Sequence, residues 1–184
     1  MNTVKERILE TASELFFNKG YSQTGINQII EESKVAKGSL YYNFKSKTDV
    51  LISYLKMSDE TIMQYFENEL KVEDDPRKKI LLLADLRFSL LKAGGYKGCR
   101  FARIVSEISE EEEHIVLPVV RNFKQRYYEL IQQLVMQLDN SEETNNNQLA
   151  DTIYLLMEGA STQASIFKDN SVFDQTRKII AAML

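Results

Sequence analysis

The chain has 184 residues, 43% of them hydrophobic, with two prolines, seven glycines, one cysteine and a net charge of −4. This content excludes a disordered polymer and an internal disulfide framework, and the length suffices for a real core. Scarce proline and glycine beside long runs of Leu, Ile, Glu, Lys and Gln predict an all-α protein, and the lack of a membrane-length apolar run or an apolar leader makes a cytoplasmic location, with no membrane partner, the expectation.

The charge is uneven. Residues 1–56 carry eight Lys/Arg and six Asp/Glu, a net of +2, which leaves −6 on the remaining 128. A basic head on an acidic body is the balance expected of a small nucleic-acid-reading module joined to a separate domain.

Along the chain, Thr3 and Glu6 have the spacing of a capping box, and Ile8, Leu9, Ala12, Leu15 and Phe16 recur at helical spacing up to Gly20. They predict helix 1 over 3–19. Thr24 is placed to cap a short second helix with Ile26, Ile29 and Ile30 on its buried face. After a break at Ser33 to Val35 comes a very short third helix, AKGSLYYNF, from Ala36 to Phe44. On a wheel of about 100° per residue, Leu40 and Phe44 share one side while Gly38, Ser39, Tyr41 and Tyr42 spread over the opposite arc. Adjacent tyrosines cannot both join a narrow core stripe, so at least one faces outward. From Lys34 to Lys47 there are four lysines and no acid. Phenol, hydroxyl, bare backbone and ammonium on one face suit a polyanion with flat hydrogen-bonding edges, as DNA presents. The three helices together predict a helix-turn-helix unit.

Ser46 opens a long fourth helix reaching about Leu70, before the acidic turn EDDP at Glu73 to Pro76. A fifth runs from Arg77 to the pair Gly94 and Gly95, and a sixth begins near Gly98. The acids Glu110 to Glu113 read as a solvated cap on a seventh helix to about Leu138, with Pro118 tolerable in its first turns. SEETNNNQ, residues 141–148, is the expected loop, followed by helices over about 147–167 and 171–184. The expected architecture is about nine helices: an N-terminal three-helix helix-turn-helix domain over 1–46, then a larger effector-binding and dimerisation domain over 47–184, with helix 4 as the link.

The segment from Ile8 to Leu51, and above all its run KGSLYYNFKSK, resembles the DNA-binding domain of the TetR (tetracycline-repressor-like) family. GCRFARIVSEI is similar to the start of the sixth helix in many of its members. The resemblance implies a homodimeric transcription factor, usually a repressor, that binds a double-stranded DNA operator and is released by a small molecule. It carries Thr24, Lys37, Gly38, Ser39, Tyr41, Tyr42, Asn43 and Lys47 over as DNA-binding positions. Thr24 and Gln28 are expected to hold the DNA backbone, Lys37, Gly38 and Ser39 to meet major-groove edges, Tyr41, Tyr42 and Asn43 to bond phosphates, and Lys47 to clamp a phosphate from the first turn of helix 4. Three positions depart from the family pattern: Lys34 where glycine usually ends helix 2, Ala36 where a serine caps helix 3, and Asn43 where histidine is common.

One short helix reads too few base pairs, so a homodimer is expected, formed by helices at about 112–138 and 147–167, with Gly159, Ala160, Ser161 and Ala164 permitting close approach. Phe66, Phe88, Phe101, Tyr127, Met157 and Glu158 are candidates to line a pocket for an effector of unknown identity; aromatic and Met positions at this spacing also serve as plain core. Cys99 has two readings: a small buried core residue, or a redox- or electrophile-sensing thiol in the first turn of helix 6 near Lys97, Arg100 and Arg103. No phosphate loop and no metal-spaced His/Cys cluster is present, and His114 is the single histidine, so neither an enzyme nor a cofactor is expected.

Overall fold

A computed structural model describes residues 3–138 and 143–184. Among these the chain forms nine α-helices and no strand: α1 Val4–Asn18, α2 Ile26–Ser33, α3 Lys37–Asn43, α4 Lys47–Leu70, α5 Pro76–Ala93, α6 Arg100–Val105, α7 Glu110–Val135, α8 Glu143–Phe167 and α9 Ser171–Met183. The all-α expectation holds.

α1 starts where its sequence says. The Glu6 amide donates to the Thr3 hydroxyl at 3.2 Å and the Thr3 amide to the Glu6 carboxylate at 2.7 Å, which completes the capping box. Ile8, Leu9, Ala12, Leu15 and Phe16 form its buried face. Gly20 follows the end with φ of +97°, and a Cβ built there would lie 2.8 Å from the Glu107 carboxylate. Both the backbone conformation and the close approach require glycine.

Several starts differ from the expectation. The N-cap of α2 is Gly25, not Thr24, because the Thr24 hydroxyl donates instead to the Gly20 carbonyl at 2.7 Å inside the turn. Of the three isoleucines of α2 only Ile29 is buried, while Ile26 and Ile30 are half-buried. α6 begins at Arg100 rather than near Gly98, whose φ of +78° keeps the chain outside the helix. Of the expected loop at 141–148, residues 141–142 lie outside the described residues, and from Glu143 onward the chain is already helical in α8. Pro118 falls in the third turn of α7, past the positions where a proline removes no helical hydrogen bond, yet α7 continues through it. Lys34 ends α2 in the left-handed region, φ 54° and ψ 40°, at the position where glycine is usual in the family pattern.

The helices fall into two compact units. The first holds residues 1–61 and 100–122, the second 62–99 and 123–184. In the first, Ile8, Phe16, Ile29, Leu40, Phe44, Leu51 and Tyr54 are buried, with the Phe16 ring edge-on to Tyr21 at 5.3 Å and to Tyr54 at 5.8 Å. In the second, Phe88 of α5 stacks on Phe173 of α9 at 4.3 Å, and Phe66, Tyr127, Ile153 and Met157 are buried. No helix among the described residues is long and apolar enough to cross a membrane.

Gly20→Ala is expected to destabilise the chain by about 1–3 kcal/mol, since it forces a side chain into a positive-φ position against Glu107. Denaturant unfolding of the two proteins checks this.

Candidate nucleic-acid interface

α3 follows from its two faces. Leu40 is fully buried, and Phe44 just past the helix end is buried with it, which docks α3 on the first unit. On the outer face Tyr42 is 90% exposed and Tyr41 44% exposed, with Lys37 and Gly38 exposed beside them. A Cβ built on Gly38 meets nothing within 4 Å, so a partner can approach the backbone there directly. Gly38, Ser39, Tyr42 and Asn43 border a cleft of about 390 Å³ whose other wall is Thr3, Val4 and Lys5 at the start of α1.

The helix starts divide by their caps. α1 and α5 are capped by side chains, Thr3 and Asp75. α2 and α3 begin at Gly25 and Ala36 with no side-chain cap. The first amides of a helix have no partner within it, so those of α2 and α3 remain available to anionic oxygens, and the helix dipole favours that arrangement.

The other expected DNA-binding residues are placed differently. Thr24 is 1% exposed with its hydroxyl committed to Gly20, so its side chain shapes the turn and does not reach a phosphate. Gln28 donates to Glu32 at 2.8 Å, and the Asn43 amide donates to the Ser39 carbonyl at 2.8 Å at the end of α3. Lys47 is turned inward. Its ammonium donates to the Tyr21 and Thr24 carbonyls, both at 3.1 Å, and lies 4.1 Å above the Tyr21 ring. Two of its three N–H groups thus fasten α4 to the turn before α2, a role not foreseen from sequence.

Sequence reasoning missed what holds that turn. The Tyr21 hydroxyl donates to Glu112, the Thr48 hydroxyl donates to the same carboxylate at 2.7 Å, and the Ser109 amide donates to it at 3.0 Å. Glu112 stands in the acidic string read as a solvated cap; it in fact accepts four hydrogen bonds from three residues, the fourth from the Ser109 hydroxyl at 3.1 Å. Burial works against its charge, but the hydrogen bonds from Tyr21, Ser109 and Thr48 prevail and hold it down to about 2. Burial, then the bond to Glu112, pushes the Tyr21 phenol up. Burial lowers Lys47, against the pull of Glu112 and Glu107. Next to this node the Ser22 amide donates to Glu107 at 3.1 Å, Arg103 pairs with Glu107 at 3.6 Å and donates to the Phe17 carbonyl at 3.2 Å, and Arg100 lies 5.3 Å over the Phe17 ring. α6 and the start of α7 therefore grip the end of α1 and the turn that follows it.

The expected effector candidates divide as well. Phe66, Tyr127, Met157 and Glu158 gather in the second unit: Tyr127 lies 5.8 Å from Phe66 and its hydroxyl meets the Met157 sulfur at 2.8 Å. Phe88 is taken up by Phe173, and Phe101 belongs to the first unit. Arg87 and Lys124, not foreseen, join Glu158. The signal for Arg87 was available: Leu83, Arg87 and Leu91 form one stripe of α5, which puts a guanidinium on an apolar face. Cys99 precedes α6 instead of lying in its first turn, and it is 7% exposed. Arg100 and Arg103, expected to activate it, are engaged with Phe17 and Glu107.

The profile of the bacterial regulatory proteins of the TetR family matches residues 8–54. The HTH-type transcriptional regulator YxaF of Bacillus subtilis is 28% identical over 169 residues, 91% of this chain and 87% of that protein. A TetR-family transcriptional regulator of Streptomyces coelicolor superposes with a TM-score of 0.88 at 22% identity, over 98% of this chain and 87% of that one. The regulator FadR of Bacillus subtilis, solved in complex with stearoyl-CoA, superposes with a TM-score of 0.77 at 19% identity, over 97% of this chain and 98% of that one.

Because the Glu112 carboxyl is depressed in the folded chain, its stabilisation is fully present above the ordinary carboxylate range and disappears as pH falls from about 4.5 toward about 2. Glu112→Gln is expected to lower the Tm at pH 7 and to flatten the acid limb of the stability curve over that window. Thermal melts between pH 2 and 7 check both.

Proposed function

We propose how this chain, which belongs to the TetR family of DNA-binding transcriptional regulators, carries out that function: as a homodimeric repressor that leaves its operator when a small molecule binds. The reading rests on one observation above others. The exposed face of α3 joins Lys37, Gly38, Tyr41 and Tyr42 beside two helix starts without side-chain caps, in the basic part of the chain.

In this reading Lys37 and Ser39 meet base edges in the major groove, the bare backbone at Gly38 lets α3 come close, and Tyr41 and Tyr42 bond phosphates. The open amides of α2 take a further phosphate, the role that the buried Thr24 side chain does not fill. Lys47 acts through the turn it fastens, with one N–H left for the DNA backbone.

The dimer is proposed on α8, with α7 beside it. Leu155, Gly159, Thr162 and Ile166 recur at helical spacing on one face of α8, with Leu155 67% and Ile166 63% exposed, and a Cβ on Gly159 would meet nothing. Ala160, Ser161 and Ala164, expected from sequence at this surface, are buried within the protomer. An exposed apolar stripe with one small residue suits a self-complementary contact about a two-fold axis. A ligand-bound neighbour such as FadR supports a small-molecule effector here. α4 and α7 each contribute residues to both compact units, so a change in the second has a covalent route to the reading head.

Selection from random double-stranded DNA is expected to return a pseudo-palindrome with half-sites about one helical turn apart; an asymmetric site bound by a monomer contradicts this. Lys37→Ala should lose affinity and base preference together, whereas Lys47→Ala should lower the Tm along with affinity and leave preference unchanged, as paired melting and binding titrations would show. Leu155→Glu with Ile166→Glu should convert the dimer to a monomer in light scattering and weaken operator binding at least about tenfold.

A further inference from the structure

Arg87 is the most unusual charge in the second unit. It is 4% exposed, and its Nε and Nη2 atoms are fully buried with no hydrogen-bond partner. Those two atoms form one edge of the guanidinium, the parallel pair of donors that takes both oxygens of a carboxylate. The carboxylate in reach does not fill it: Glu158 Oε1 lies 3.7 Å from Nη2, too long for a hydrogen bond, and is itself buried without a donor. The other Glu158 oxygen is taken by Lys124. The cluster thus holds two cations, one carboxylate and the Cys99 thiol, which also interacts with the guanidinium, and it leaves the Nε–Nη2 edge unused on one side and an acceptor unused on the other. The charge itself is compensated by Glu158 and the Tyr127 ring, but buried donors and acceptors are nearly always hydrogen-bonded, and these three atoms, left without a bond, point to a missing partner.

The surroundings give that partner a shape. The Arg87 guanidinium lies 5.6 Å over the Tyr127 ring, Tyr127 is 6.1 Å from Tyr154, and Phe66 and Met157 border Tyr127. Lys124 and Glu158 side chains are 19% and 24% exposed, so the cluster is sealed at Arg87 and open at its other end.

We infer that the effector is a small hydroxy acid: its carboxylate fills the Arg87 fork, a hydroxyl next to the acid donates to Glu158 Oε1, and an apolar body packs on Tyr127 and Tyr154. The inference rests on the reading that a small molecule releases the protein from DNA. Arg87 and Glu158 are then recognition residues: in the ligand-free protein their charges compensate each other at 3.7 Å, and binding supplies the hydrogen bonds that this pair lacks.

The test uses the full-length protein without DNA and two ligand series: mandelate, phenylacetate and mandelamide, and 2-hydroxyoctanoate, octanoate and 2-hydroxyoctanamide. At least one hydroxy acid should raise the Tm with concentration, its hydroxyl-free parent less, and its amide not at all. Arg87→Met should keep the ligand-free Tm within about 2 °C, because it removes two unbonded donors, fills the buried volume and leaves Glu158 paired with Lys124, and should abolish the response. Arg87→Lys keeps the charge without the fork and should bind at least about tenfold more weakly. Either of three results overturns the inference: no acid outperforming its amide, a response that survives in either variant, or a marked fall in the ligand-free Tm of Arg87→Met. Operator binding measured without any compound separates this outcome from failure of the regulator reading itself.

Discussion

The reading head depends on one carboxylate. Glu112, from the first turn of α7, accepts from Tyr21 in the turn between α1 and α2 and from Thr48 in the first turn of α4. Three segments distant in sequence thus meet at its Oε1 atom, while Oε2 is held by Ser109, and Lys47 fastens the same turn through the Tyr21 and Thr24 carbonyls. A short turn has little apolar surface of its own to fix it; here charge-assisted hydrogen bonds define it, and with it the point from which α2 and then α3 depart. Gly20 is the complement of this arrangement, since only a residue without a side chain lets Glu107 come so close on the same turn.

Capping then separates helices that are closed from helices that are open. Thr3 and Asp75 satisfy the starts of α1 and α5, and nothing from a side chain does so for α2 and α3. A helix with an unsatisfied start is less stable in isolation by about 1 kcal/mol. α3, seven residues long, bears that cost while Leu40 and Phe44 anchor it in the core. Stability is given up at the same surface where the exposed tyrosines and the open Gly38 backbone stand, which is the usual location for a broken local rule.

Much of this was legible in the sequence because it is local. The capping box at Thr3, the 3.6-residue stripe of α1 and the uncapped Ala36 are each set by residues within a few positions of one another, and all stand as read. What was not legible is long-range. Nothing near Glu112 distinguishes it from Glu110, Glu111 and Glu113; only the fold brings Tyr21 and Thr48 to it. The inward turn of Lys47 has the same origin, for only the fold brings the Tyr21 and Thr24 carbonyls to its ammonium. Thr24 was misread more simply. Its hydroxyl could cap α2 or close the preceding turn, and Gly25 immediately after it, free to serve as N-cap, left it to the turn. Arg87 was readable from periodicity, but its partners on α7 and α8 were not.

The central claim is that DNA is met by α3 and by the open helix starts of α2 and α3. Amide hydrogen exchange on the protein alone and bound to its selected operator tests it most directly. The account predicts that amides at 26–28 and 37–38 become protected on binding, while those at the capped start of α5 do not change. Protection that leaves 26–28 and 37–38 unaltered would contradict it.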